Sequence, residues 1–329
     1  MTTVKDVARK AEVSTATVSR VINGTRFVSE ELRARVYQAM RELDYRPNAI
    51  ARSLRRKETR NIALVVPDIA YPFVAEVAKG VEDEVFKAGY SAILCESKGD
   101  EARECACIRL LLTKQVDGIV FVASGESPGY IRALVEQRMP VVACGREFPD
   151  VEVDTVITDD AGSGYQATEY LIRLGHRRVG CIVGPPGLGI SDGREDGYRR
   201  ALEERGIPWD AALTARGDFR CRGGYDAMRE LLALDDRPTA VFACNDLMAM
   251  GAICAASKRG LRVPQDLAII GCDDIALASF TNPSLTTVAH PKREMGRVAV
   301  DMLVRRIEDR DLRPTKRVLP TELVIRDSG

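Results

Sequence analysis

No stretch of the 329 residues approaches the roughly 18–20 consecutive apolar positions that a membrane-spanning helix needs. The opening residues, Met1-Thr2-Thr3-Val4-Lys5-Asp6, carry no hydrophobic signal core, so a cytoplasmic protein is expected and an exported or membrane-bound one is not. Histidine is scarce. His176 and His290 are the only two, neither stands in a nucleophile motif, and both are expected as loop or helix-end residues. The nine cysteines are odd in number and show no Cys-x-x-Cys or Cys/His spacing. That argues against a zinc site and against a disulfide framework, and predicts reduced, mostly buried thiols, as in Val141-Val142-Ala143-Cys144. There is no Gly-x-Gly-x-x-Gly after the first strand and no phosphate-binding loop of the Walker kind. Gly184-Pro185-Pro186-Gly187-Leu188-Gly189 is glycine-rich, but its two prolines remove backbone N–H groups that a phosphate would need. An enzyme is therefore not expected, nor is a cofactor or a metal.

What is present is the composition of a globular chain, 45% hydrophobic and 29% charged, long enough for two or three domains. Forty-eight basic side chains balance forty-eight acidic ones, yet they are unevenly placed. Residues 1–60 hold fourteen Lys/Arg and seven Asp/Glu, a charge of +7, which leaves −7 on residues 61–329. A basic head on an acidic body points to a polyanionic partner for the head alone.

The head reads as three short helices. Val4, Val7, Ala8 and Ala11 share one face, with Thr3 as cap. After a tight turn Ser14 caps a second helix, Thr15 to Asn23, with Val18, Val21 and Ile22 turned inward. Ser29 caps a third, Glu30 to Leu43. A short helix, a short turn and a second helix form a helix-turn-helix, whose second helix belongs in a DNA major groove. Its outward positions, Thr15, Ala16, Thr17, Ser19 and Arg20, are small and mostly polar. Small residues allow close approach to base edges, and an arginine can make a bidentate pair with guanine.

Val4-Lys5-Asp6-Val7-Ala8, Val13-Ser14-Thr15-Ala16-Thr17-Val18-Ser19-Arg20-Val21-Ile22-Asn23 and Leu43-Asp44-Tyr45-Arg46-Pro47-Asn48-Ala49-Ile50-Ala51-Arg52-Ser53-Leu54 together resemble the opening signature of the LacI/GalR family of bacterial repressors. The resemblance extends over essentially the whole chain. It implies a helix-turn-helix DNA-binding domain at 1–46, a hinge helix and linker at 47–60, and an effector-binding and dimerisation domain at 61–329. It also implies DNA contacts at Thr3, Ser14, Thr15, Ala16, Thr17, Ser19, Arg20, Asn23, Ser29, Ala51, Leu54 and Arg55. The hinge peptide is too short to be a stable helix alone. In the family it folds on DNA, with a leucine, here matching Leu54, wedged into the minor groove beside flanking arginines.

From Asn61 on, short apolar runs such as Ile62–Val66, Gly118–Val122, Val179–Val183 and Leu267–Gly271 alternate with helical stretches. That is a βαβ series with parallel sheets. The irregular, acidic stretch Val151–Asp159 reads as the first crossing between two sheet subdomains. The family fold is an α/β two-lobed domain like the periplasmic binding proteins, with lobes of about 61–158 plus 290–320 and about 159–289 plus 321–329. Ligands in such folds lie beyond the carboxyl ends of strands.

Loops after strands carry polar groups there. The family's effector stations match Tyr71, Phe73, Asp159, Arg194, Phe219, Asn245 and Asp273, with Ser191–Arg194 read as part of a loop. Aspartate and arginine facing each other in a dry cleft suit a neutral polyol, whose hydroxyls both donate and accept. Leu188-Gly189-Ile190 offers no side-chain donor and speaks against a purine, and Gly145 replaces an aspartate common in the family. Gly217–Arg229 and Val263–Phe280 look most like ribose-operon repressors. The expected protein is a sequence-specific repressor of a sugar-utilisation operon, controlled by a pentose such as ribose. It is expected to act as a homodimer on double-stranded operator DNA, with a co-regulator protein as a further partner. The rival readings are a cytosolic α/β enzyme and a sugar-binding protein without a DNA role.

Overall fold

The computed structural model describes residues 2–23, 26–45, 58–122, 129–148 and 150–329. The chain divides into two compact units, residues 1–59 and 60–329. No helix among the described residues is long and apolar enough to cross a membrane.

In the first unit, α1 (Val4–Lys10), α2 (Thr15–Asn23) and α3 (Glu30–Glu42) enclose a small core of Val7, Val18, Val21, Val28, Val36 and Ala39. Each helix starts on a capping hydroxyl. The Thr3 hydroxyl accepts from the Asp6 N–H and donates to the Asp6 carboxylate at 2.7 Å. Ser14 Oγ accepts from the Thr17 N–H at 3.1 Å, and Ser29 Oγ from the Leu32 N–H at 3.5 Å. The turn between α1 and α2 is made by Glu12 in the left-handed region, at φ 52°. Arg35 braces it from α3, donating to the Ala11 carbonyl at 2.7 Å and to Glu12 at 3.1 Å. The hinge positions Ala51, Leu54 and Arg55 and the Asn23 side chain lie outside the described residues.

The second unit holds two six-stranded sheets. The strands of the first are β1 (Asn61–Val66), β2 (Ser91–Glu96), β3 (Gly118–Val122), β4 (Val141–Cys144), β5 (Asp154–Thr158) and β11 (Lys316–Leu319), in the order β11-β5-β4-β3-β1-β2. The second contains β6 (Val179–Val183), β7 (Thr214–Arg216), β8 (Ala240–Ala243), β9 (Ala268–Asp273), β10 (Thr286–Ala289) and β12 (Glu322–Val324), in the order β12-β10-β9-β8-β6-β7. Among the described residues only the β10–β12 pairing is antiparallel. Lobe one carries α4 (Pro72–Lys87), α5 (Glu101–Thr113), α6 (Gly129–Glu136) and α11 (Lys292–Glu308). Lobe two carries α7 (Asp160–Arg173), α8 (Gly189–Glu204), α9 (Cys221–Leu231) and α10 (Asp246–Lys258).

Three local expectations are corrected. The stretch 151–159 is not irregular throughout: Asp154–Thr158 is β5, inserted between β4 and β11. The crossing is thereby compressed to the residues around Asp159. Ser191–Arg194 lies inside α8, which begins at Gly189, so Arg194 projects from a helix and not from a loop. The thiols are not mostly buried. Cys144, Cys181, Cys244 and Cys272, on or at the ends of central strands, are buried, whereas Cys95, Cys105 and Cys107 are half-exposed and Cys221 and Cys254 exposed. The five accessible ones sit on the edge strand β2 or on helices, whose outer faces remain in solvent.

α7 and α8 cross closely because Gly164 faces the Arg194 backbone and Gly197 faces the Ala161 carbonyl. A Cβ at either position would fall inside contact distance of backbone. The same reciprocal glycine arrangement joins α9 to α10 and α4 to α11. Gly164→Ala should lower stability by about 1–3 kcal/mol, the usual cost of overpacking. Urea unfolding checks this, and an unchanged midpoint would mean that the two helices separate at no cost.

Candidate functional site

On the head, Ser14, Thr15, Ala16 and Arg20 are exposed and Thr17 and Ser19 half-buried, which makes a small, polar, singly basic surface on α2. The hydroxyls of Ser14 and Thr17 lie 2.9 Å apart. Thr3, Ser14 and Ser29 all stand at helix N-termini, where backbone N–H groups favour anions such as phosphate.

Between the lobes of the second unit lies a cleft of about 620 Å³. Of the seven expected effector residues, six line it: Tyr71 and Phe73 at the start of α4, Arg194 on α8, Phe219 after β7, Asn245 after β8 and Asp273 at the end of β9. Asp159 does not. It is exposed and caps α7, its carboxylate accepting from the Gly162 N–H at 2.7 Å. The acid that reaches a cleft residue is its neighbour Asp160, which does not itself line the cleft but whose carboxylate accepts from Arg194 Nε at 2.9 Å. An N-cap side chain must turn back onto its own helix, and the next residue is left free to point inward. Arg146, beside Gly145, lines the cleft wall, and so do Asp68, Lys98, Glu101 and Arg220. These belong to loops or helix starts without a distinctive motif. Leu188, Gly189 and Ile190 line the cleft as an apolar stretch.

Arg194 is 4% exposed. Its guanidinium pairs with Asp160 and, at 3.3 Å, with Asp273, and donates to the Cys244 carbonyl. Burial pushes the Asp273 carboxyl up to about 6, with Asp160 adding to the rise while Arg194 and Lys292 oppose it. Burial likewise raises Asp160. Asp246 lies beneath, pushed up to about 8 by burial and then by Asp273, its oxygens held by Thr287 Oγ1 at 2.5 Å and the Ile275 N–H at 2.8 Å. Cys272, Asp273 and His290 bring their ligand atoms within 4.8 Å of one another. A divalent cation does not fit there. Arg194 already occupies the carboxylate of Asp273, and burial holds the Cys272 thiol protonated.

Two sets of contacts join the lobes. At the mouth, Tyr71 Oη donates to the Phe219 carbonyl and accepts from Asn245 Nδ2 at 2.9 Å, while Arg220 reaches Asp68 at 2.9 Å. Phe219 is held at φ 63°, a conformation that costs free energy in a bulky residue. Asn245 both caps α10, accepting from the Met248 N–H at 2.9 Å, and faces the cleft. At the crossings, buried His290 lies 3.0 Å from Thr158 Oγ1 and 3.3 Å from Ser163 Oγ, which is itself 3.2 Å from Thr321 Oγ1. All three inter-lobe connections meet in this cluster. Burial, reinforced by Arg194 and Lys292, holds His290 far below its ordinary pKa and therefore neutral. His176 sits in the loop after α7, bonded to Thr239 at 2.9 Å.

Comparison with known proteins places both units. Residues 3–48 match the LacI family of bacterial regulatory proteins, and residues 168–329 a periplasmic binding protein-like domain. The HTH-type transcriptional repressor PurR of Photorhabdus laumondii is 42% identical over 311 residues, 93% of this chain and 91% of that one. Among solved structures, the lac repressor dimer bound to operator and the anti-inducer ONPF matches with a TM-score of 0.89 at 27% identity, over 99% of this chain and 98% of that one. A LacI family regulator from Enterococcus faecium with bound ribose matches with a TM-score of 0.74 at 31% identity, over 82% of this chain and 98% of that one.

Removing the cationic member of a buried ion network leaves its carboxylates uncompensated. Arg194→Met should therefore cost on the order of 3–5 kcal/mol in denaturant unfolding at neutral pH. The loss should shrink in mild acid, where protonation neutralises the orphaned Asp160 and Asp273. A loss independent of pH would show that packing, not charge, is what Arg194 supplies.

Proposed function

We infer that this chain, which belongs to the LacI family of bacterial regulatory proteins, is a repressor whose hold on operator DNA is set by a small polyol bound between its lobes, with a pentose such as ribose as the first candidate. It is a transcriptional repressor and not an enzyme, as its relatives are. The observation that carries the effector reading is the buried Arg194–Asp273 pair beside Asn245, lined by Phe73 and Phe219 in a cleft of about 620 Å³. Fixed donors and acceptors serve hydroxyls, and the rings serve the apolar face of a sugar. The ribose-bound relative supports the class. The cleft volume and the three aromatic side chains Tyr71, Phe73 and Phe219 favour a second reading, a nucleoside, in which the same pentose carries a flat ring.

For the DNA side, one recognition helix per chain reads one half-site, so the working unit is a homodimer on a palindrome. The operator-bound relative is a dimer. Arg20 is the base-reading arginine, Thr3, Ser14 and Ser29 contact phosphates, and Leu54 with Arg55 enters the minor groove. A ligand shifts the operator equilibrium only through its preference for one arrangement of the lobes. The contacts at the mouth are the groups it would rebalance, with the crossings as the pivot.

Operator titration tests the reading. Ribose, or a pyrimidine nucleoside in a parallel arm, should weaken operator binding by the wild-type chain. Asp273→Ala should bind operator normally and ignore both ligands. A mutant that still responds with unchanged ligand affinity would place the effector elsewhere.

A pH dependence follows from the raised Asp273 carboxyl. A sugar hydroxyl donates to the ionised carboxylate, so proton and sugar compete. Affinity should be full above about pH 6 and fall as pH drops through that value. Calorimetric Kd values for the wild type and Asp273→Asn check this, and only the wild type should show the step.

A further inference from the structure

Five of the nine thiols reach the surface, and two of them stand on facing elements. Cys95, next to the last residue of β2, packs with Ile93 against the side of the sheet that α5 covers through Ile108 and Leu111. Cys107 stands beside Ile108 on α5, and its thiol approaches the Glu96 carbonyl at 3.8 Å. Glu96 is the chain neighbour of Cys95, so the two thiols face each other across the β2–α5 contact, and both residues are half-exposed. Between them runs the segment that gives Lys98, Gly99 and Glu101 to the cleft wall. Nothing in the repressor reading uses these thiols.

We propose that Cys95 and Cys107 are a reversible thiol–disulfide site, oxidised by a low-molecular-weight disulfide of the glutathione class, and that the bond pins the cleft segment between β2 and α5. In a reducing cell a disulfide of this kind is transient and reports redox state. Cys107, as thiolate, attacks one sulfur of the small disulfide. The S–S bond breaks, and one glutathione thiolate leaves and takes up a proton. Cys95 then releases its proton and attacks the Cys107 sulfur of the mixed disulfide, expelling the second glutathione. Two protein thiols lose two electrons, and one small disulfide becomes two thiols. Burial and the neighbouring Cys107 push the Cys95 thiol up to about 11, so Cys107 and not Cys95 makes the first attack.

The competing pair is Cys221 and Cys254, exposed in a shallow groove between α9 and α10. The experiment uses the full chain with Cys221→Ser and Cys254→Ser already introduced, treated with glutathione disulfide, alkylated and mapped by mass spectrometry. Neither DNA nor sugar is needed, so failure here is separate from failure of the effector reading. The expected product lacks two alkylatable thiols, carries no retained glutathione, contains a peptide linking Cys95 to Cys107 and is restored by dithiothreitol. Amide exchange at residues 97–101 should slow several-fold in the oxidised form. With Cys95→Ser added, one glutathione should remain on Cys107. The proposal is overturned if both thiols remain alkylatable, if each carries its own glutathione, if the link maps to other cysteines, or if exchange at 97–101 is unchanged.

Discussion

The second unit is organised around one buried cation. A guanidinium withdrawn from water must be answered by charge and by carbonyl oxygen, and Arg194 draws its partners from three places. Asp160 comes from the first turn of α7, Asp273 from the end of β9 and the Cys244 carbonyl from the end of β8. These elements therefore converge at one point, and the cleft opens above it. The placement of Arg194 rests in turn on the glycine contact between α7 and α8, because Gly164 lies against the arginine's own backbone. Below the cation, burial and the neighbouring Asp273 push Asp246 toward its protonated form, which eases the like charge beside Asp273.

The contacts that join the lobes differ in kind. The Arg220–Asp68 pair is half-exposed, and surface pairs of this sort contribute about 0–1 kcal/mol. Tyr71 is bonded to both Asn245 and the Phe219 carbonyl, so it holds the very groups that a bound ligand would use. These bonds are exchangeable. The cluster of His290, Thr158, Ser163 and Thr321 is not, since it is buried among all three chain crossings. Weak bonds at the mouth and persistent ones at the crossings describe a hinge.

Patterns set by periodicity were legible in the sequence. The three head helices begin and end within a residue or so of their expected bounds, because capping hydroxyls and apolar stripes mark both. The central strands announced themselves as apolar runs, being covered on both faces. One of the misses arises because local sequence does not say which way a side chain turns. Asp159 and Asp160 are adjacent and identical in type, and only the geometry of the α7 cap separates them. The glycines and serine around Arg194 suggest a loop, yet the segment is helical and Gly197 serves the close packing of α8 on α7. His290 gave no signal, since its hydroxyl partners Thr158 and Ser163 lie 132 and 127 residues away.

The order of strands has a consequence for how the chain comes into being. The head needs only neighbours along the chain, and its core is complete by about residue 45. Neither sheet of the second unit closes so early. β5 waits for β11 at residue 316, and β10 waits for β12 at residue 322, so each lobe borrows its last strand from the end of the chain. Pairings that distant form slowly, and synthesis proceeds from the N-terminus. The part that reads DNA is thus folded while the part that governs it is still being made.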